Sequence, residues 1–124
     1  MLMAPKSRDL GIIKAAIGAS RFTLGLSYHV HVFGLSQGVP AIIVYSNDYY
    51  RYKSEGLVGF YAPPNAAIDV GAEDGEAAAL RAIEDLARGY REVRDGITRR
   101  NAEIRAVNDW TIEELAGPAR QRTA

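Results

Sequence analysis

Residues 22–47 read FTLGLSYHVHVFGLSQGVPAIIVYSN and contain no aspartate, glutamate, lysine or arginine. Apolar residues alternate with smaller ones from Phe22 to Leu26, which predicts a short strand. The unbroken apolar run from Ala41 to Tyr45 predicts a strand that is covered on both faces. A helix is predicted between them, from about His29 to Gln37. Strand, helix and strand form the minimal parallel unit, so these two strands are predicted to be parallel neighbours.

The sequence before and after this stretch predicts more helices and a third strand. Apolar residues at helical spacing predict a first helix from Leu10 to about Gly18. Ser46, Asn47 and Asp48 are turn and cap residues, and they predict a helix from Tyr49 to about Phe60. Ala66 to Val70 is predicted as a short third strand. The result is an α/β fold with a Rossmann-like parallel sheet flanked by helices.

The last third of the chain is highly charged and predicts a long helical segment. Residues 73–122 hold twenty of the thirty charged side chains, and this segment carries one apolar stripe at three- and four-residue spacing. Gly89 and Gly96 predict a bend or break. Thr111 and Glu114 have capping-box spacing for a last short helix that ends at Gly117. We therefore divide one domain into a Rossmann-like core, residues 1–71, and a helical segment, residues 72–124, that packs on it.

Length, composition and charge exclude several classes of function. The 124 residues suit one folded domain, and fifteen basic side chains balance fifteen acidic ones, which argues against nucleic acid as a partner. The chain has no cysteine and therefore no disulfide or thiolate metal site. Polar residues interrupt the uncharged stretch well before ~20 apolar residues accumulate, so no integral membrane segment is predicted. No signal peptide is recognised, and the cytoplasm is the default location.

Ligands of parallel α/β sheets bind at the carboxyl ends of the strands, where helix amino termini present free N–H groups. Two stretches of this chain reach that edge: Leu26 to His29, and Tyr45 to Lys53. His29 falls in the first helical turn, a position that suits proton transfer beside a bound anion. A histidine in an apolar segment is, however, more often a hydrogen-bonded core residue. His31 lies two positions on, points to another helix face, and is interpreted as a packing residue.

Residues 27–45, SYHVHVFGLSQGVPAIIVY, resemble the signature of the polysaccharide pyruvyl transferase family, in which a histidine opens a helix and Gly-Val-Pro leads into a strand. Residues 49–57 resemble the next element of that family, a tyrosine-bearing segment followed by a lysine and Gly-Leu. The resemblance implies the carboxy-terminal half of a glycosyltransferase-B type fold. It also implies phosphoenolpyruvate as the donor substrate, a sugar as the acceptor, and no cofactor or metal. His29 takes the catalytic role by position, and the implied substrate-binding residues are Ser27, Tyr28, Asn47, Tyr50, Arg51 and Lys53.

The chain departs from the family pattern in two ways. Many members carry arginine where this chain has Ser27, so we expect Arg21, Arg51 or Lys53 to supply that positive charge. The amino-terminal domain that forms the other wall of the cleft is also missing from these residues, and we expect a missing domain or partner chain to provide it. Two alternatives remain open. They are the carboxy-terminal half of a nucleotide-sugar glycosyltransferase or epimerase, and a non-catalytic interaction domain.

Overall fold

The computed structural model describes residues 9–61 and 63–123, and for residues 118–123 it describes the backbone alone. Three strands and five helices alternate in these ranges. They are α1 (Leu10–Gly18), β1 (Thr23–Gly25), α2 (Tyr28–Leu35), β2 (Ala41–Tyr45), α3 (Asp48–Gly59), β3 (Ala66–Asp69), α4 (Gly75–Arg88) and α5 (Tyr90–Thr123). None of the described helices combines the length and the hydropathy of a membrane span.

The strands form one parallel sheet in the order β1-β2-β3. Thr23 pairs with Ala41 and Gly25 with Ile43, while on the other side Ile42 pairs with Ala66 and Tyr45 with Asp69. The predicted α/β class and the parallel pairing of the first two predicted strands are therefore confirmed. The pairing puts the carboxyl ends of all three strands at one edge of the sheet, and α2 and α3 both begin at that edge.

The hydrophobic core lies on both faces of β2. Ile42 and Ile43 are no more than 1% exposed, as the unbroken apolar run from Ala41 to Tyr45 predicts. The buried cluster also includes Leu35 of α2, Ile68 of β3, and residues of the last two helices: Ala82, Leu86, Val93 and Ile97. The helices α4 and α5 thus contribute side chains to the same core as the sheet.

Two glycines allow α2 and β2 to approach each other closely. Gly38 has a φ of 84° in the turn that leads into β2, a conformation that residues with a side chain rarely adopt. Gly34, on the buried face of α2, faces β1. A Cβ atom added there would lie 3.1 Å from the Thr23 Cγ2 atom. The absence of a side chain at Gly34 thus lets the end of α2 pack closely against the start of β1.

The predicted helical segment, residues 72–124, breaks at Gly89, one of the two positions proposed from the sequence. The prediction of a separate last helix starting at Thr111 and ending at Gly117 is wrong, because α5 continues through both residues to Thr123. The Thr111 hydroxyl does not act as a cap. It donates a hydrogen bond to the carbonyl of Val107, 2.8 Å away and one turn earlier, as threonine does inside a helix.

Candidate functional site

The amino-terminal turns of α2 and α3 form the candidate site at the carboxyl edge of the sheet. His29 lies in the first turn of α2 and is exposed, whereas Tyr28 beside it is half-buried. The rings of these two residues meet edge to face with centroids 5.9 Å apart. Tyr28 therefore limits the positions that the His29 imidazole can take.

Lys53 reaches this pair from α3. Its Nζ atom lies 5.2 Å from the centre of the Tyr28 ring, within the range of a cation–π interaction. Tyr28 thus contacts both His29 and Lys53, and these are three of the seven residues implied by the family resemblance. Two helices that follow different strands bring an imidazole and an ammonium group to the same tyrosine.

Tyr49 is a member of this site that the resemblance did not select. The Lys53 Nζ atom lies 5.0 Å from the centre of its ring, so the ammonium group contacts Tyr49 as well as Tyr28. A hydrogen bond with the Tyr49 hydroxyl raises the pKa of Lys53 above its already basic ordinary value. The four-residue spacing of Tyr49 and Lys53 on a predicted helix is the signal that could have identified the pair.

The two helix amino termini differ in how far their free N–H groups are satisfied. Asn47 caps α3, and its side-chain oxygen accepts a hydrogen bond from the Tyr50 N–H at 3.0 Å. Ser27 occupies the same position before α2 but makes no side-chain cap hydrogen bond. The first N–H groups of α2 are therefore more available to a bound anion. The resemblance implies that Asn47 binds substrate, but its side-chain oxygen already accepts the cap hydrogen bond of α3.

Arg51 lies apart from Lys53. Residues two positions apart on a helix point about 200° from each other, so the two cations cannot converge on one small ligand. The Arg51 guanidinium stacks 5.0 Å from the centre of the Tyr52 ring and pairs with Asp48 at 3.8 Å. A hydrogen bond with Tyr52, followed by the charge of Asp48, raises the pKa of Arg51.

Arg21 is also excluded as the replacement for the family arginine. It precedes β1 and therefore lies at the amino edge of the parallel sheet, opposite His29. Its guanidinium lies 4.8 Å from the centre of the Tyr90 ring, and its carbonyl accepts a hydrogen bond from the Tyr90 hydroxyl at 2.6 Å. Arg21 attaches α5 to the sheet, and Lys53 is the one cation of the three proposed that contacts Tyr28.

Charge divides the carboxyl edge into two parts. Burial raises the pKa of Tyr45 at the end of β2, and the nearby carboxylates of Glu55 and Asp69 raise it further. Carboxylates and the Arg51 guanidinium thus act together on the end of β2, whereas Lys53 and His29 both contact Tyr28 on the side of α2. An anion is favoured on the β1 side.

The second histidine, His31, has a structural role in joining β1 to α2. His31 is 1% exposed and forms two hydrogen bonds, one between Nδ1 and the Thr23 Oγ1 atom at 2.7 Å and one between Nε2 and the Gly25 carbonyl at 2.9 Å. A carbonyl can only accept, so Nε2 carries the proton and Nδ1 accepts from the threonine hydroxyl. Burial lowers the pKa of His31, and the Gly25 hydrogen bond partly offsets this effect. His31 thus fixes the end of β1, two residues before Ser27.

A surface cleft of about 470 Å³ lies away from this edge, between α4, α5 and the loop after α3, and its lining includes Tyr61, Pro64, Val93 and Arg99. Within the described residues, no group of three histidine, aspartate or glutamate side chains is placed to hold a metal ion. The candidate site is therefore an open edge formed by helix termini and four side chains, Tyr28, His29, Tyr49 and Lys53.

Comparisons with family models, curated proteins and solved structures find no match to this chain.

Proposed function

We propose that the chain is the carboxy-terminal, Rossmann-like half of a polysaccharide pyruvyl transferase-like enzyme with a glycosyltransferase-B type fold. In this proposal the edge between α2 and α3 holds phosphoenolpyruvate, and the pyruvyl group passes to a sugar. One observation carries the proposal: Tyr28 contacts both His29 and Lys53. These contacts lie at the amino terminus of α2, where the Ser27 side chain makes no cap hydrogen bond. A cytoplasmic location belongs to the same proposal, because phosphoenolpyruvate is a metabolite of that compartment.

Each group in the site has a separate role in the proposed donor complex. The open N–H groups of α2 bind the phosphate oxygens, which the positive end of the helix dipole also favours. Lys53 balances the negative charge of the phosphate or the carboxylate, and Tyr28 and Tyr49 hold its ammonium group in place. Ser27 leaves this side without the family arginine, so a single lysine must supply the charge.

His29 acts as the general acid in the proposed reaction. Its imidazolium donates a proton to the methylene carbon of phosphoenolpyruvate, which becomes a methyl group while positive charge develops on the neighbouring carbon. One sugar hydroxyl bonds to that carbon, the bond from carbon to the phosphate oxygen breaks, and a second hydroxyl then completes the ketal. One of the two hydroxyl protons goes to His29, which is thereby regenerated, and the other goes to the released phosphate.

The proposal is tested by titrating phosphoenolpyruvate into the full chain and following the amide and imidazole resonances by NMR. We expect saturable shifts at Tyr28, His29 and Val30, with weak affinity because the site is open on one side. Lys53→Met should weaken binding about tenfold, the effect of one charge-assisted contact. Arg51→Met is the matched control, because it removes a cation from the other face of the same helix, and it should leave the affinity within about twofold.

Catalysis requires a second measurement, because binding alone does not show transfer. The chain alone should transfer little or no pyruvyl group, since one domain cannot hold donor and acceptor in line and exclude water. Transfer to a galactoside should appear when a candidate amino-terminal half is added, and His29→Asn should abolish that transfer while phosphoenolpyruvate still binds. Shifts that are absent near His29, or equal losses of affinity in the Lys53 and Arg51 variants, would refute the proposed site.

A further inference from the structure

A cleft of about 350 Å³ lies along the first turns of α5, and one face of that helix forms its wall. The residues that line it are Tyr90, Arg91, Arg94, Asp95 and Thr98. At about 100° per residue, these five side chains fall within an arc of about 140°. They span about 12 Å of the helix axis. We call this cleft the arginine cleft.

Two segments at the amino edge of the sheet lie beside this face of α5. The Arg21 guanidinium lies 4.8 Å from the centre of the Tyr90 ring, which brings a third arginine to the cleft. In the turn before β2, a Cβ atom added to Gly38 would lie 3.5 Å from the Thr98 Oγ1 atom and 3.9 Å from the Arg94 Nη2 atom. Because Gly38 has no side chain, the space between this turn and α5 is left open.

The positive charge of the arginine cleft is not balanced by the described residues. The ion pairs that they form join Arg51 to Asp48, Arg81 to Asp74, Arg88 to Asp85 and Arg100 to Glu103. Arg21, Arg91 and Arg94 therefore have no carboxylate partner within the described part of the chain. Asp95 lines the cleft but pairs with none of them. Three arginines against one aspartate leave two positive charges in excess.

The side chains of the cleft match the oxygens of a phosphorylated ligand. A guanidinium presents paired N–H donors that fit two oxygens of one phosphate group, and the Thr98 hydroxyl is a further donor. Arg94 lies about 4.5 Å along the helix axis from Arg91, and Thr98 lies about 6 Å further on. A row of donors this long suits two linked phosphate groups better than a single one. The excess of positive charge also favours an ion with several negative charges.

We propose that the arginine cleft binds the diphosphate group of a small molecule. Arg91 and Arg94 each bind one phosphate group, and the Thr98 hydroxyl donates to the phosphate next to Arg94. Arg21 approaches from the side of the sheet. Its backbone is held there, because its carbonyl accepts a hydrogen bond from the Tyr90 hydroxyl at 2.6 Å. The Asp95 carboxylate limits the affinity, since it repels the same phosphate oxygens.

The arginine cleft and the candidate site for phosphoenolpyruvate lie at opposite edges of the sheet. Arg21 precedes β1, whereas His29 follows it. Binding in the arginine cleft does not depend on the proposed pyruvyl transfer. Arg94→Met should therefore leave the phosphoenolpyruvate shifts at His29 unchanged, and Lys53→Met should leave diphosphate binding unchanged.

Titration of pyrophosphate into the full chain, followed by amide NMR, provides the first test. We expect saturable shifts at Arg91, Arg94 and Thr98 with a dissociation constant below about 1 mM, and about tenfold weaker binding of inorganic phosphate. Added salt should weaken the binding, because the charges lie at an exposed surface. Adenosine diphosphate presents the same group as an ester. Equal affinity for it assigns the cleft to diphosphate esters, whereas binding of pyrophosphate alone assigns the cleft to the free ion.

Three substitutions at exposed positions of α5 test the roles of the side chains. Arg94→Met should weaken pyrophosphate binding about tenfold, the effect of one charge-assisted contact. Arg99→Met is the matched control, because it removes an arginine that lines the cleft on the other side of the helix, and it should change the affinity less than about twofold. Asp95→Asn should tighten binding about threefold, because it removes the opposing charge.

A purely structural role for Arg94 would give a different result. Arg94 lies beside the turn that follows α2, where a cation stabilises the carbonyl end of the helix dipole. Arg94→Met would then lower the free energy of unfolding and leave the pyrophosphate affinity unchanged, which would overturn the proposal. Absent shifts at Arg94 and Thr98, or equal losses of affinity in Arg94→Met and Arg99→Met, would overturn it as well.

Discussion

The Thr23 hydroxyl lies 2.7 Å from the Nδ1 atom of His31, in a buried contact between the first residue of β1 and the middle of α2. The Gly25 carbonyl accepts a hydrogen bond from Nε2 of the same ring. Both nitrogens of the His31 ring, which is 1% exposed, therefore have hydrogen-bond partners. This contact joins β1 to the helix that carries His29.

Removing the threonine hydroxyl should destabilise the fold. Thr23→Val keeps the shape of the side chain but leaves the His31 Nδ1 atom buried without a donor, which costs about 1–3 kcal/mol. Thr23→Ser keeps the hydroxyl and loses one methyl group, a cost of about 1 kcal/mol. Urea unfolding followed by circular dichroism measures both values. A Thr23→Val variant as stable as Thr23→Ser would show that the hydrogen bond contributes little.

His31 should make the stability of the fold depend on pH. Its pKa in the folded chain lies below the ordinary value of 6.5, so in the range between the two values the unfolded chain binds more protons. Stability is therefore retained above pH 6.5, falls as the pH drops through 6.5, and levels off below the folded pKa. Urea unfolding at intervals from pH 7.5 to 5.5 should show this fall.

The exposed histidine supplies the control for that experiment. His31→Gln should reduce the dependence of stability on pH in this range, whatever its effect on stability at pH 7.5. His29→Asn, at the exposed histidine, is the comparison variant. If stability depends equally on pH in the unmodified chain, His31→Gln and His29→Asn, groups other than the histidines cause the dependence.

The two cap positions at the candidate site should respond differently to alanine. Asn47→Ala removes the side-chain hydrogen bond to the Tyr50 N–H and should cost about 1 kcal/mol. Ser27→Ala removes no cap hydrogen bond and should change stability by less than about 0.5 kcal/mol. Thermal unfolding measures both. A large loss in Ser27→Ala would contradict the assignment of open N–H groups to α2.

Two glycines should respond to alanine with opposite signs. A Cβ atom on Gly75 would lie 2.5 Å from the Asp69 carbonyl oxygen, and because that atom is backbone it cannot move aside easily. Gly75→Ala should therefore cost about 1–3 kcal/mol. Gly56 is an exposed residue inside α3, and a Cβ atom added to it would meet no other atom within 4 Å. Gly56→Ala should therefore stabilise the fold by about 0.5–1 kcal/mol. Differential scanning calorimetry of both variants checks the sign, and a more stable Gly75→Ala would show that the backbone moves readily.

Local pattern was enough to predict most of the sheet and its parallel pairing. The run from Ala41 to Tyr45 is a strand over the predicted range, because five apolar residues between a proline and a polar turn favour a strand covered on both faces. The first strand is shorter than predicted, Thr23–Gly25, because Phe22 and Leu26 lie outside the residues that pair with β2.

Contacts between distant residues could not be predicted from local pattern. Asn101 receives a hydrogen bond from the Tyr61 hydroxyl and donates one to the Leu35 carbonyl, although these residues are 40 and 66 positions away. His31 was assigned to packing, but its two polar partners depend on how β1 and α2 meet. At the candidate site, the contact of Lys53 with Tyr28 likewise depends on the distance between two helices.

The position of α5 governs the order in which the protein can fold as it is synthesised. Ile97 is fully buried against the sheet, and the Asn101 amide donates to the carbonyl of Leu35 at 2.8 Å. Synthesis must therefore pass Asn101 before the core can close, and until then the apolar side chains of α2 and β2 lack this cover. A nascent chain that stalls near Gly89 would present that uncovered sheet to chaperones and proteases, although β1, β2 and β3 are already complete.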